Sequence, residues 1–189
     1  MKKIDEEGLK LCALQADIFA ESLETTQCSS PIFIRRFMNS QVAARMDHRG
    51  FLLEASDAVS ILNEVEAQYG PTSYGKERYG REELYWLGYL YRYWAYTYEK
   101  SSKQVYKQMK AKELRKLYYP YHSLDPAQTI ERILKSSGSE EEDYTEKVSE
   151  SFGKFWNGRK KQRNGNKFHR LLLSFLPSLS QCIKIEPIN

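Results

Sequence analysis

The segment REELYWLGYLYRYWAYTY, residues 81–98, decides the fold. It holds two of the three tryptophans and six of the fourteen tyrosines, and between Leu84 and Tyr98 only Arg92 is charged. Leu84, Leu87, Tyr91, Trp94 and Tyr98 recur at intervals of 3, 4, 3 and 4 and make one helical stripe. Trp86, Tyr89, Leu90, Tyr93 and Thr97 make a second stripe beside it. A helix that is apolar on most sides is buried on most sides. Tyr89, Tyr91 and Tyr93 also alternate as in a strand, but the run is longer than the ~4–8 residues of a buried strand. The segment predicts a central helix around which the other elements pack.

On its N-terminal side, residues 4–26 predict a helix with Leu9, Cys12, Ala13, Ala16, Phe19, Ala20 and Leu23 inward, although Gly8 weakens its first turn. Ser29 or Ser30 before Pro31 starts a second helix, PIFIRRFMNSQVAARMD, with Ile34, Phe37, Met38, Val42 and Ala44 on one side and Arg35, Arg36 and Arg45 at its edges. A third covers 56–69, capped by Ser56 or Asp57, with Val59, Leu62, Val65 and Tyr69 as its stripe. GPTSYGKERYG, residues 70–80, is a loop. Beyond Tyr98, Ser101 and Gln104 have the spacing of a capping box, and Val105, Met109 and Leu114 face inward. A short helix covers 111–118, and Tyr119 before Pro120 predicts a turn or extended piece. Asp125-Pro126 opens a last helix with Ile130, Ile133 and Leu134 inward. No segment predicts a sheet. The fold class is therefore all-α: a compact bundle of five or six helices.

Composition changes at Ser136. SSGSEEEDYTEKVSES is polar and acidic, GRKKQRNGNKFHR is basic, and LLLSFLPSLSQCIKI is too short to span a bilayer. The expected organisation is an all-helical domain over 1–135, an acidic linker over 136–150 and a disordered or weakly helical basic tail over 151–189. The tail reads as an arm for nucleic acid, as a segment lying on anionic lipid, or as the product of a reading-frame change. The formal charge of +4 is uneven: residues 151–189 hold eight Lys or Arg against Glu186, which leaves −3 on residues 1–150 and predicts a mildly acidic body. The N-terminus lacks the continuous apolar run of a signal peptide. Cys12, Cys28 and Cys182 are odd in number and scattered, which predicts reduced thiols in the cytoplasm. No metal or cofactor motif is present.

Three constellations bear on function. The aromatic helix presents partner-binding candidates in Tyr89, Tyr93 and Tyr96, against the plainer role of packed core. Residues 81–110 resemble a helix-turn-helix, with Ala95 and Val105 ten apart and Ser101, Ser102, Lys103, Gln104, Lys107 and Lys110 as DNA-binding candidates, although Glu99 stands where the turn glycine belongs. Arg115 and His122 have the spacing of the arginine–histidine pair in HEPN ribonucleases, but Pro120 interrupts the segment between them.

The runs SPIFIRRFMNSQVAARMD and ELYWLGYLYRYWAYTYEKSSKQVYKQMKAKELRKLYYPYHSLDPAQTIERI, within residues 29–134, resemble an uncharacterised all-helical family of small proteins from Gram-positive anaerobes. Genes of that family are often found beside proteins resembling ADP-ribosyltransferase toxins. The resemblance implies a non-enzymatic, antitoxin-like or regulatory protein that binds a toxin-like partner, and it supplies no catalytic residues. The alternatives are a helix-turn-helix DNA-binding regulator and, further off, a HEPN-like ribonuclease.

Overall fold

The computed structural model describes residues 1–54 and 57–136, and its first compact unit runs Met1–Ser136. The expectations for the linker over 136–150 and the tail over 151–189 lie outside the described residues, apart from Ser136 itself. Among the described residues every regular element is helical.

The first helix, α1 (Glu6–Thr25), is capped by the Asp5 side chain, which accepts from the Gly8 N–H at 2.8 Å. Glu6 and Glu7 then stand in its first turn, where the helix dipole favours acids. Its inward face is Leu11, Cys12, Gln15, Ala16, Ile18 and Phe19. Leu9, expected inside, is 45% exposed. Gly8 is buried instead, because the Tyr96 ring lies over it: a Cβ there would stand 2.6 Å from a ring carbon.

The expected second helix is two helices, α2 (Ser30–Met38) and α3 (Gln41–Met46). Ser40 ends the first by donating to the Phe37 carbonyl at 2.7 Å and caps the second by accepting from the Ala43 N–H at 3.1 Å. The short polar side chains of Asn39 and Ser40 compete with the helix ladder, as such residues do. Val42 and Met46 continue the buried row of Ile34 and Met38 beyond the break, Ala43 is buried beside them, and Ala44, expected inside, is exposed.

After a 3₁₀ turn (Phe51–Glu54), α4 (Ala58–Tyr69) is capped by Asp57 and buries Ile61, Leu62 and Val65. Val59, expected in that stripe, is 49% exposed. The loop over 70–80 is tied to the α1–α2 turn. Ser29 N–H donates to the Tyr74 carbonyl at 3.0 Å, Ser30 N–H to the Glu77 carbonyl at 2.9 Å, and Arg78 reaches the Thr26, Cys28 and Leu23 carbonyls.

The central helix, α5 (Arg81–Thr97), starts where Gly80 N–H donates to the Glu83 carboxylate at 2.7 Å. It packs on α1 more than any other pair of elements does. Gly88 makes the approach close: a Cβ there would meet the Gln15 carbonyl oxygen at 2.6 Å and the Ala16 Cα at 2.8 Å. Leu84, Leu87, Leu90, Tyr91 and Trp94 fill the core below it. α6 (Ser102–Gln108) and α7 (Ala111–Lys116) close one side of the core, inserting Val105, Ala111 and Leu114. The piece expected as a turn or extended is a single helical turn, α8 (Tyr118–Tyr121). Pro120 is tolerated there because the first-turn N–H it lacks has no intrahelical partner. Asp125 caps a last helix, α9 (residues 126–136), accepting from the Ala127 N–H at 2.8 Å, and Ile130 and Ile133 are buried.

Candidate functional site

Arg92 organises the interior. Its guanidinium is 1% exposed and donates to Gln15 Oε1 at 2.8 Å, the Met46 carbonyl at 3.1 Å, Asp47 Oδ1 at 2.8 Å and Ser102 Oγ at 2.9 Å. The carboxylate of Asp47 also accepts from the Ser102 hydroxyl at 2.6 Å and from the Ser102 N–H at 2.9 Å. The network ties α1, α5, the end of α3 and the start of α6 together. Burial pulls the proton affinity of Arg92 down, and the Asp47 carboxylate pushes it back.

This network decides the position of the helix-turn-helix candidates. Ala95 and Val105 are both buried, as that pattern wants, and Glu99 takes φ 51°, the left-handed turn conformation. Ser102, however, is buried and turned toward Asp47 rather than toward a groove. Ser101 and Gln104 cap α6: Ser101 Oγ accepts from the Gln104 N–H at 3.2 Å, and Gln104 Oε1 accepts from the Ser101 N–H at 2.8 Å. Lys110 lies over the Tyr106 ring at 4.6 Å. Lys103 and Lys107 stand in solvent.

The second feature is an aromatic groove of about 280 Å³ between α5 and the segment from Tyr118 to Pro126. Trp86 and Tyr89 form one wall, while Tyr118, His122 and Leu124 form the other. Trp86 meets Tyr118 edge-on at 5.6 Å, and the His122 ring stacks on Tyr118 at 4.9 Å. Tyr85, in the lining, is 39% exposed, and Tyr119, outside the lining but edge-on to the lining residue Tyr118, is 78% exposed. Burial raises the Tyr89 and Tyr118 hydroxyls above the ordinary tyrosine value, which favours the protonated phenols.

Of the three tyrosines expected to anchor a partner, Tyr89 alone lines this groove. Tyr93 is buried, stacked on Tyr89 at 6.4 Å. Tyr96 donates to Asp5 Oδ1 at 2.5 Å beneath Lys2, whose amine lies 4.3 Å from the ring centre. Arg115 and His122 are held by different partners. Arg115 donates to Glu83 at 3.1 and 3.3 Å and to Glu77 at 3.3 Å, so its charge is already met by two carboxylates. His122 Nδ1 lies 3.1 Å from the Tyr119 carbonyl and 3.2 Å from that of Tyr118.

The sequence reading overlooked Asp47 and Gln15, whose signal was the lone charge of Arg92 inside an apolar helix. Trp86 and Tyr118 form a surface that the sequence does not announce, because Tyr118-Tyr119-Pro120-Tyr121 reads as a turn or extended piece. Cys12 and Cys28 are buried free thiols, and Cys182 lies outside the described residues. Among the described residues no helix is long and apolar enough to cross a membrane, and no three His, Cys, Asp or Glu side chains cluster as metal ligands. No protein-family model, curated protein or solved structure matches the chain.

Proposed function

We propose that this protein acts by binding another protein, which lays an apolar side chain into the groove between α5 and α8. The observation that supports this is a groove walled by aromatics with one exposed ring in its lining, Tyr85 at 39%, and a second beside its wall, Tyr119 at 78%, edge-on to Tyr118. Elsewhere α5 spends its aromatic residues on the core. Tyrosine and tryptophan are enriched at protein interfaces and supply large, rigid contact area. The partner is the toxin-like protein that the family resemblance implies, and the mechanism is occlusion of its working surface, without chemistry on the part of this chain.

Co-expression of the full chain with the product of the neighbouring gene tests the proposal. A stoichiometric complex eluting as one peak is expected. The variant Tyr85→Ala with Tyr119→Ala should abolish it while leaving the helical circular dichroism unchanged, since both rings stand in water. A complex that survives both substitutions intact, or the absence of any complex with the wild-type chain, would overturn it.

A further inference from the structure

The charge of the folded unit differs from that expected. Residues 137–150 hold six acids and one lysine, a balance of −5, so the −3 of residues 1–150 becomes +2 on residues 1–136. The acidity assigned to the body belongs to the segment that follows it.

Part of that positive charge lies on α6 and on the helix packed against it. Lys103 and Lys107 stand one helical turn apart on the outer side of α6, both exposed. Arg35 is exposed on α2, which packs against α6, and it lies close enough to the Tyr106 hydroxyl to act on it electrostatically. Among the described residues the side chains of Arg35, Lys103 and Lys107 make no ion pair or hydrogen bond, whereas Arg45, Arg81, Arg92, Lys112 and Arg115 are all paired with carboxylates. Glu113, the acid that shares the neighbourhood of Tyr106, is committed to capping the Lys110 N–H at 2.9 Å.

We infer that Arg35, Lys103 and Lys107 form a site for the phosphate backbone of duplex DNA, separate from the aromatic groove and independent of sequence. The independence from sequence follows from what the polar groups of α6 are doing. Ser101 and Ser102 are held in the cap and in the Asp47 network, and the Gln104 side-chain oxygen, one half of the pair that would read an adenine, is turned back onto the Ser101 N–H. Cations on free stems remain; such side chains supply phosphate contacts, and equal loss on unrelated duplexes separates that from a guanine contact. A lipid surface fits less well, because no large apolar side chain is exposed on α2 or α6 and a helix lying on a membrane needs an apolar face. Single strands call for exposed stacking rings, and the one ring here, Tyr106, is 9% exposed beneath Lys110.

The test is fluorescence anisotropy of the full chain with a short mixed-sequence DNA duplex across a salt series. The basic residues of 159–170 carry positive charge of their own, so each variant is made in the natural chain and in one with Arg159, Lys160, Lys161 and Arg163 replaced by Gln. Removing three phosphate contacts should make the slope of log K against log salt shallower by about 2–3 in both backgrounds. The substitutions are Arg35→Gln, Lys103→Gln and Lys107→Gln together. The single variants, each expected to change the slope by about 0.9, serve if the triple variant loses its fold. Equal loss on two unrelated duplexes is expected. An unchanged slope in the triple variant, or binding lost with the tail substitutions alone, would overturn the inference. So would tighter binding to phosphatidylserine vesicles, to duplex RNA or to a single strand. The Tyr85→Ala, Tyr119→Ala variant should bind DNA as wild type does, which keeps this site's failure distinguishable from that of the groove.

Discussion

Arg92 is a charge held almost wholly out of water, and that position sets the cost of disturbing it. Its partner Asp47 is 12% exposed and holds both the guanidinium and the first residue of α6. Breaking a buried pair by removing one partner leaves an uncompensated charge and costs about 3–5 kcal/mol. Asp47→Ala should lose that much stability in urea titration. Arg92→Met with Asp47→Ala should recover part of the loss, because no charge is then stranded. At the α5–α6 turn, Glu99 holds φ 51° while Lys100 N–H donates to the Ala95 carbonyl at 3.0 Å, closing the end of α5. A left-handed residue with a Cβ carries strain of about 1–2 kcal/mol, and glycine removes it at some entropic cost. Glu99→Gly should therefore raise the melting temperature by a few degrees, equivalent to roughly 1 kcal/mol or less. Both sites were partly legible. The capping box of Ser101 and Gln104, and the expectation of a turn glycine at 99, are local patterns. The partner of Arg92 is 45 residues away in sequence, and periodicity carries no information at that separation.

At the scale of elements, the crossing of α1 and α5 rests on Gly88. In an exposed helix Gly→Ala gains about 1 kcal/mol. Here the added methyl would press on the backbone of Gln15 and Ala16, which has no rotamer by which to yield. Gly88→Ala should destabilise instead, by about 1–3 kcal/mol in thermal or chemical unfolding, and the inverted sign is diagnostic of helix contact. Helix existence was readable for most of the body because burial imposes a period near 3.6. Phase and interruption were less so. Ser40 divides a run whose apolar spacing continues through it, and Val59 and Leu9 fit their stripes on paper while packing turned Ile61 and Leu11 inward. The α8 turn was missed because the rule that a residue before proline avoids the helix is a preference. Packing of Tyr118 on Trp86 accompanies the exception.

Across the whole molecule, carboxylates tied to the fold set the response to acid. Asp5 is held below its ordinary 3.8 by the Tyr96 hydroxyl and the Gly8 N–H, Asp57 by the Ser60 N–H, and Glu64 below its ordinary 4.5 by the bidentate Arg45. Groups depressed in the fold stabilise it above their ordinary values, and that contribution is lost as pH falls through the folded values. The melting temperature should be level from neutral pH down to about 5 and fall below about 4. On the alkaline side Tyr96, pushed up to about 12 by burial and by its bond to Asp5, favours the protonated phenol. Stability should therefore decline as pH rises past the ordinary tyrosine value of 10. The expected acidity of the body comes from the sum over residues 1–150, a span that includes the acidic run beyond Ser136.

The central claim is that this protein works by presenting an aromatic groove to a protein partner. Titration calorimetry of the purified full chain with the proposed toxin-like partner measures it directly, comparing wild type with Tyr85→Ala, Tyr119→Ala and the Arg35→Gln, Lys103→Gln, Lys107→Gln variant. Hot-spot aromatics each contribute about 2 kcal/mol or more, so loss of one exposed ring should weaken binding by roughly thirtyfold and the basic-face variant should match wild type. Equal affinity for the wild type and both tyrosine variants would contradict the account.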